Sequence, residues 1–417
     1  MKIKKILCLG LLAALPLVGC GGGNGGGEQP ATDLKGEYSL KVWVGEGTET
    51  LTSQLIRDFE AANEGITIKE TIEPVSEANA ATQVTQDIDA AADIYSFAQD
   101  QFATLVQAGA LAKLGDAAAK AVKDNNDAGS VGAVTSGDKL FGYPMTSDNG
   151  YFMYYDKSVI TNEEHLKDVA ALVADCEAAG KKFAFETETS GWYLAAWFFG
   201  AGCVSEWTTN ADGEFVSVND DFNSAKGVIA AKGMQQLVKS TAHLSSSETS
   251  ALSAAIPAAI LVSGTWAYED VKTVLGDNMG VAELPSFTVE GQTYHLGSFS
   301  GNKLLGVKPS SDVKKQAVCH KLAEFLTNEQ SQLKRFEAKS WGPSNLNAKN
   351  NEAVLANPAL AALAKQNNYA VPQGQIPGGW WNSTKVLGAA IRNAEDDAAI
   401  NAALAAYATS NQEALNA

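Results

Sequence analysis

The sequence predicts an α/β protein of two lobes, each a mostly parallel sheet flanked by helices. The chain has 417 residues, of which 45% are hydrophobic and 19% are charged, which suits two sizeable lobes with full cores. From Tyr38 to Ala108, short extended segments alternate with segments of helical periodicity, a pattern that is typical of βαβ units. A second series of this kind begins near Glu163. Two such series predict two lobes.

Alternation and helical spacing define the first series. Residues 38–44 alternate apolar and polar side chains, as strands do, and residues 51–59 then carry apolar side chains at helical spacing. The series continues with strands over 66–69 and 93–97 and helices over 80–91 and 99–108. Ligands bind beyond the carboxyl ends of parallel strands, so the loops at 45–47 and 97–101 are candidate binding loops.

Two polar loops are the predicted crossings between the lobes. Residues 146–150 separate two extended segments, and the loop at 297–301 leads back to the first lobe. The remaining predicted elements are helices over 163–179, 191–200, 222–238, 248–256 and 312–339 and strands over 182–186, 258–262, 279–284 and 302–307. The predicted N-terminal lobe comprises 38–146 plus 298–347, and the C-terminal lobe comprises 147–297 plus 348–417.

The N-terminus has the pattern of a secretory signal. Three lysines precede an apolar run that is too short to cross a membrane as an ordinary helix. Gly19 before Cys20 resembles a bacterial lipobox, so we expect removal of residues 1–19 and a diacylglyceryl group on Cys20. Residues 20–37 then form a glycine-rich flexible tether. Two acyl chains give stable anchoring, which predicts a lipoprotein on the outer face of the cell membrane. An ordinary export signal with an incidental cysteine is the alternative.

The mature chain is strongly acidic. Loss of the three signal lysines takes the formal net charge from −17 to −20. Nucleic acid and anionic membrane surfaces repel such a protein, so neither is an expected partner. The charge of the protein does not exclude neutral or cationic small molecules as ligands.

Three cysteines remain once Cys8 leaves with the signal and Cys20 is lipidated. Export permits a disulfide, and Cys176 with Cys203 is the expected pair because they flank a single predicted strand and helix. Three free buried thiols, including Cys319, are the alternative.

Motifs for metal and cofactor chemistry are missing from the sequence. The four histidines are isolated from one another and from cysteines at ligand spacing, so no metal site is expected. The chain has neither a GxxxxGK[ST] phosphate loop nor a GxSxG nucleophile elbow, and no cofactor is expected. The sequence does not exclude a catalytic pair of carboxylates of the kind that glycosidases use, because two carboxylates far apart in the sequence can be adjacent in the folded protein.

Aromatic residues in loops and at helix starts carry the strongest functional signal. Trp380 and Trp381 follow a Pro-Gly-Gly loop, and consecutive helical residues point about 100° apart, so at least one should be exposed or face a cleft. A site for uncharged sugars needs aromatic plates with carboxylate and amide groups beside them. The other candidate plates and polar partners are Trp43, Phe97, Trp192, Tyr193, Trp266, Glu46, Asp100, Gln101, Asp148 and Asn149. Trp197, Trp207 and Trp341 are assigned to packing or surface.

An ordered set of motifs carries a family resemblance. It consists of Phe141-Gly142-Tyr143-Pro144 with residues 151–157, Gly264-Thr265-Trp266-Ala267, residues 281–285 and residues 376–381. The set resembles the extracellular, family 1, solute-binding proteins of sugar ABC transporters, and among them the maltose/maltodextrin-binding lipoproteins. The resemblance implies a type II periplasmic-binding-protein-like fold whose lobes close over an oligosaccharide.

The resemblance also suggests residue roles. Trp266, Trp380 and Trp192 resemble the family's stacking aromatics, and Asp148 and Asp100 resemble its acidic residues. There are departures: Gln101 stands where a basic residue is usual, Phe97 replaces a larger aromatic, and the loop at 45–47 lacks an Asp-Lys pair. These departures leave the identity of the sugar open.

The sequence therefore predicts a monomeric, non-enzymatic receptor that hands a neutral oligosaccharide, foremost maltose or maltodextrin, to a membrane permease. Trp380 is expected to supply a stacking plate from the second lobe, and Trp381 to share the site or pack behind it. A receptor for another neutral oligosaccharide, a surface-tethered glycoside hydrolase and a passive adhesin are the alternatives.

Overall fold

The structure, a computed structural model, describes residues 33–415. The predicted signal segment and Cys20 lie outside these residues. Within the described part, none of the helices combines the length and the apolar character that crossing a membrane requires.

The described chain alternates strands and helices throughout. In chain order, the strands are β1 (Gly36–Val44), β2 (Ile66–Pro74), β3 (Ile94–Ala98), β4 (Thr135–Ser136), β5 (Lys139–Leu140), β6 (Tyr143–Thr146), β7 (Phe152–Asp156), β8 (Lys182–Ala184), β9 (Ser205–Thr209), β10 (Phe215–Asp220), β11 (His243–Leu244), β12 (Ala258–Ser263), β13 (Met279–Ala282), β14 (Ser286–Val289), β15 (Gln292–His295), β16 (Ser298–Ser300), β17 (Lys303–Val307) and β18 (Ala370–Pro372). The helices are α1 (Glu49–Ala62), α2 (Ala80–Gln86), α3 (Phe102–Gln107), α4 (Asp116–Asn125), α5 (Ala128–Gly132), α6 (Val169–Ala178), α7 (Gly191–Gly200), α8 (Ala225–Val238), α9 (Tyr268–Leu275), α10 (Val313–Leu326), α11 (Glu329–Lys339), α12 (Leu346–Lys349), α13 (Glu352–Leu355), α14 (Pro358–Gln366), α15 (Gly378–Asn393) and α16 (Asp397–Leu415).

Several helices begin where a side chain caps the free backbone N–H groups of the first turn. Asp168 accepts a hydrogen bond from the N–H of Ala171 at 2.8 Å at the start of α6. Asp312 does the same for two N–H groups of α10. Such caps each stabilise a helix by about 1 kcal/mol and explain why these helices begin at these residues.

Two five-stranded sheets share one topology. The first has the order β2-β1-β3-β17-β6 and the second the order β11-β8-β12-β7-β13. In the first sheet, β17 is antiparallel to both of its neighbours, and in the second sheet β7 is antiparallel to both of its neighbours. The other four strands of each sheet run in one direction. The predicted two-lobed α/β fold with mostly parallel sheets is confirmed.

The reversed strands determine which residues meet at the binding edge of each sheet. Lys303, the first residue of β17, pairs with Ala98 and Thr146, the last residues of β3 and β6. Ser263, the last residue of β12, likewise pairs with Phe152 at the start of β7. The segments that join the two sheets therefore emerge beside the carboxyl ends of the parallel strands, where ligands bind in such sheets.

Some elements differ from the prediction. Residues 248–256 were expected to form an α-helix but contain only a short 3-10 helix, Thr249–Ser253. The hairpins β9–β10 and β14–β15 were not predicted. Their turns contain Gly213 at φ 86° and Glu290-Gly291 at φ 54° and 81°, the left-handed conformations that Asp-Gly and similar dipeptides favour in hairpins.

The expected disulfide is absent from the structure. Cys176, Cys203 and Cys319 are free and buried. Burial raises the pKa of each thiol to about 12, which keeps it protonated and unreactive at neutral pH. The sequence reasoning rested on permissive chemistry and could not supply the distance between the two sulfurs, so the alternative of three free thiols holds.

We therefore expect all three thiols to be modified by iodoacetamide in unfolded, unreduced protein. Peptide mapping should find carbamidomethyl groups on Cys176, Cys203 and Cys319 at the same level with and without prior reduction. In the folded protein, the same reagent should label them slowly, because they are enclosed in the cores. A Cys176–Cys203 peptide pair that disappears on reduction would contradict this expectation.

Candidate functional site

The segments that join the two sheets pack against one another. The N–H of Ser147 donates to the carbonyl of Gly342 at 3.0 Å, and the N–H of Asn149 donates to the carbonyl of Gly301 at 3.1 Å. Gly150 lies so close to the crossing at 298–302 that an added Cβ would stand 2.9 Å from the carbonyl oxygen of Phe299. The stretches at 146–150, at 298–302 and around Gly342 are thus packed together between the two sheets.

Asp148 is the polar centre of these packed stretches. Its carboxylate is 3% exposed, and Oδ2 accepts hydrogen bonds from the N–H of Gly342 at 2.6 Å and from the hydroxyl of Thr265. Oδ1 is enclosed and has no hydrogen-bond partner among the described residues. The predicted ligand carboxylate is therefore engaged within the protein, where it ties the first crossing to the turn after β12.

A buried arginine lies near this carboxylate. The guanidinium of Arg335 donates to the carbonyl of Leu326 at 3.1 Å. Burial lowers the pKa of Arg335 to about 10, while the nearby carboxylates of Glu77 and Asp148 act in the opposite direction. The positive charge of Arg335 thus offsets the negative charges at this side of the site.

Two partly exposed indoles lie together at the edge of the second sheet. Trp192 is in the first turn of α7, and Trp266 is in the 3-10 turn that follows β12. Their ring centroids are 5.8 Å apart, with an interplanar angle of 39°. A Cβ on Gly264 would stand 2.0 Å from the ring of Trp266, so only glycine allows the indole to fold back over this turn. We call Trp192 and Trp266 the indole pair.

A lysine connects the indole pair to the first sheet. Nζ of Lys303 lies 3.7 Å from the ring centroid of Trp341 and 5.3 Å from that of Trp266. Both distances allow cation–π attraction. Sequence reasoning missed Lys303 and assigned Trp341 to packing or surface, although a charged residue at the start of a predicted buried strand was a signal that could have found Lys303.

Amide side chains complete the arrangement. Oε1 of Gln373 accepts hydrogen bonds from Nδ2 of Asn149 at 3.2 Å and from Nε1 of Trp192 at 3.3 Å. Nε2 of Gln99 donates to the carbonyl of Gln373 at 2.7 Å. The parallel pairing of β16 with β18 holds Gln373 in this position. Gln99 lies in the predicted binding loop at 97–101 but was not singled out there, and Gln373 was missed because the short strand β18 has no sequence signal.

Asp100 lies next to this amide cluster. Its backbone carbonyl accepts a hydrogen bond from the N–H of Ile376 at 3.4 Å. The side chain is buried, and burial raises the pKa of its carboxyl to about 7. The structure therefore brings Trp192, Trp266 and Asn149 together with Lys303 and Gln373, with Asp148 and Asp100 beside them.

Trp380 requires a correction. It is 0% exposed, and its Nε1 donates to the hydroxyl of Tyr407 at 2.8 Å, so the ring offers no face to a ligand in this structure. The helix α15 turns this side chain towards α16, where the hydroxyl of Tyr407 satisfies the indole N–H. Trp381 is the partly exposed member of the tandem, with its ring centroid 4.8 Å from that of Trp380.

Other predicted site residues belong to the cores or to the surface. Phe97 and Tyr193 are buried in the two cores, and Trp43 is buried with its Nε1 donating to Glu73 at 2.8 Å. These three residues lie in strands or helices that are covered on both sides. The side chain of Gln101 bonds to the backbone of Ala81 and Glu77 at 2.7 Å each, which holds the start of α2. Glu46 is exposed in its loop and makes no contact with the cluster.

The arrangement can bind but shows no sign of a metal centre. Among the described residues, no group of three or more His, Cys, Asp or Glu could hold a metal ion. Flat aromatic faces, a cation and amides can hold an uncharged, hydroxyl-rich molecule through stacking and hydrogen bonds.

Comparisons with known proteins point to one family. The sequence profile described as "Bacterial extracellular solute-binding protein" matches residues 54–362, about three quarters of the chain. A galactooligosaccharide-binding protein of Bacillus subtilis (strain 168) is 25% identical over 308 residues, which is 68% of this chain and 68% of that protein. The maltodextrin-binding protein MdxE of the same organism is 24% identical over 363 residues, 82% of each chain.

A solved structure supports the same relationship. A protein whose structure was determined with acarbose superposes with a TM-score of 0.79 at 29% sequence identity. The match covers 91% of this chain and 100% of that one. The two-lobed architecture therefore extends over nearly the whole described chain.

Proposed function

The chain belongs to the family of bacterial extracellular solute-binding proteins, and on that premise we propose that it is the lipid-anchored receptor of an ABC importer. It binds a neutral oligosaccharide, foremost maltose or a maltodextrin, in the cleft between its lobes and delivers it to the membrane permease. It breaks no bond. Cys20 carries the lipid, the chain acts as a monomer, and the lobe boundaries follow the crossings at 146–150 and 297–301.

The observation that carries this proposal is the indole pair beside the amide cluster. Trp192 and Trp266 present ring faces on which the C–H surface of a sugar can stack. The amide of Gln373 lies at the Nε1 edge of Trp192 with Asn149 beside it, and the ammonium of Lys303 lies over the ring of Trp266; all three can bond to hydroxyl groups. The two relatives are named for the binding of maltodextrin and of galactooligosaccharide, which favours these two sugar classes as candidates.

A calorimetric panel tests the proposal. We would titrate the protein with maltotriose, maltotetraose, a β-galactooligosaccharide and a cello-oligosaccharide, and analyse each mixture for shortened products afterwards. Binding of a maltooligosaccharide without product formation supports the proposal. If only the galactooligosaccharide bound, the receptor would be specific for galactooligosaccharides in place of maltodextrins. Shortened products would favour a glycoside hydrolase. The absence of any binding would contradict the proposed function.

We expect Trp266→Ala to weaken the binding of the preferred sugar by more than about tenfold, or about 1.4 kcal/mol. The reason is that the substitution removes a stacking face, and Trp266 is partly exposed at the border of a hydrophobic core cluster and not enclosed in it. Isothermal titration calorimetry measures the change, and the melting temperature checks the fold. Trp381→Ala is the matched control, because this indole is also partly exposed but its ring contacts are with Phe299 and Trp380. Equal losses for the two variants would contradict the assignment.

A further inference from the structure

Lys303 has a largely buried side chain whose ammonium has no hydrogen-bond acceptor among the described residues. Its side chain is 8% exposed, although it carries a charge at the edge of the first sheet. Among residues 33–415, no carboxylate lies within salt-bridge distance of its Nζ, and no hydrogen bond is made to it. The stem of this lysine is enclosed by protein while its charged end stays accessible, so the ammonium is available to acceptors from outside the chain.

The two indoles beside Lys303 hold the ammonium in position but do not accept hydrogen bonds from it as oxygen atoms would. Nζ lies 3.7 Å from the ring centroid of Trp341 and 5.3 Å from that of Trp266, both within the range of cation–π attraction. A ring face attracts a cation through its quadrupole, but it is not a substitute for the oxygen acceptors that three N–H donors require. The ammonium is thus held in place with its hydrogen-bonding capacity unused.

The residue that follows the strand of Lys303 is a lysine whose ammonium donates three hydrogen bonds to the protein. Lys308 follows β17 directly, and its Nζ donates to the carbonyls of Ile88 at 3.1 Å, Asp89 at 3.0 Å and Ala91 at 2.6 Å. These three bonds fasten β17 to the segment before β3. The two lysines therefore differ in their partners: Lys308, which is partly exposed, has three acceptors from the protein, and the more buried Lys303 has none among the described residues.

The position of Lys303 indicates where its acceptors would come from. Because β17 runs against its neighbours, Lys303 stands at the carboxyl ends of β3 and β6, the edge at which ligands bind in such sheets. Trp266, which approaches it from the turn after β12, is a stacking face of the proposed sugar site. A sugar against Trp266 would carry its hydroxyl oxygens past the ammonium.

We propose that Lys303 is a specificity-determining residue of the sugar site. Its ammonium donates hydrogen bonds to hydroxyl or ring oxygens of the sugar unit that stacks on Trp266. The site therefore selects units that present oxygen acceptors there and disfavours units that present a protonated amine, which is repelled and accepts no hydrogen bond. This assignment rests on the proposed function. It adds that the Lys303 ammonium distinguishes between the sugars that the receptor can bind.

The test compares Lys303→Met with Lys308→Met, using maltotetraose and the protonated glucosamine tetramer as probes. Lys303→Met should lose at least about tenfold in maltotetraose affinity and discriminate less against the glucosamine tetramer. Its melting temperature should equal or exceed that of the parent, because an apolar chain of similar length keeps the packing of the buried stem and no hydrogen bond within the protein is lost. Lys308→Met should keep the affinity of the parent and melt at a lower temperature.

Two results would overturn the assignment: parent-like maltotetraose affinity in Lys303→Met, or a drop in its melting temperature as large as that of Lys308→Met. If the parent binds no sugar of the panel, the proposed function fails, and the melting temperatures still decide the role of Lys303. A value at or above that of the parent then supports an ammonium kept for a ligand. A lower value assigns Lys303 to packing.

Discussion

Trp380→Ala is expected to destabilise the protein by about 3–5 kcal/mol, as truncation of a fully buried tryptophan does. The ring packs against Phe222 and Phe299 at centroid distances of 6.3 and 6.2 Å. Its Nε1 also donates to the hydroxyl of Tyr407, which in turn donates to Asp220 at 2.6 Å. The substitution therefore leaves a cavity and removes one bond of a buried chain of hydrogen bonds.

Urea denaturation followed by circular dichroism measures this loss. Trp381→Ala serves as the control, because it removes a neighbouring indole that is only partly buried and should cost less. Trp380→Phe separates the two contributions, since it keeps most of the volume and removes only the hydrogen bond to Tyr407. If Trp380→Ala weakened sugar binding without lowering the free energy of unfolding, Trp380 would be a ligand plate after all.

Asp100→Asn is expected to stabilise the protein at pH 8 by a few kcal/mol while leaving its stability near pH 4 almost unchanged. Burial raises the pKa of Asp100 to about 7, whereas an unfolded chain has a value of about 3.9. Between these values the folded protein holds a proton that the unfolded chain has released, so stability falls as the pH rises. Asparagine stays neutral, so the variant does not lose unfolding free energy as the pH rises. A difference of three pKa units between the folded and unfolded states corresponds to a loss of about 4 kcal/mol.

The measurement is the free energy of unfolding of parent and variant at intervals from pH 4 to pH 8. The difference between the two proteins should grow with pH and level off above about pH 7. Asp138→Asn, at an exposed position, corrects for the change in total charge. A difference that stayed constant over this range, or that grew towards acid pH, would show that the carboxyl is ionised in the folded protein throughout.

The sequence predicts much of the fold because local patterns carry it. Residues 38–44 alternate as a strand should and form most of β1, and the aromatic helix over 191–200 has the predicted bounds. Reversal of β7 and β17 could not be derived in this way, because strand direction depends on pairings between distant residues. The hairpin turns at Gly213 and Glu290-Gly291 were visible signals that the prediction did not use.

The site is less predictable than the fold, for a geometric reason. The rule that consecutive helical residues diverge holds for Trp380 and Trp381, but it does not say which of them faces the core. The structure buries Trp380 and leaves Trp381 partly exposed. Lys303 and Gln373 were missed because their importance comes from neighbours that are far away in sequence.

The position of β17 has a consequence for biosynthesis. In the first sheet β6 has a single partner, and that partner is β17, which lies between β3 and β6. A chain that has been synthesised only to Thr146 therefore contains β6 with nothing to pair with. Domains generally fold as units during synthesis, from the N-terminus onward. Here the N-terminal sheet lacks β17 until residues 303–307 have been synthesised, so the first lobe cannot complete its sheet before the chain segment between β6 and β17 has been made.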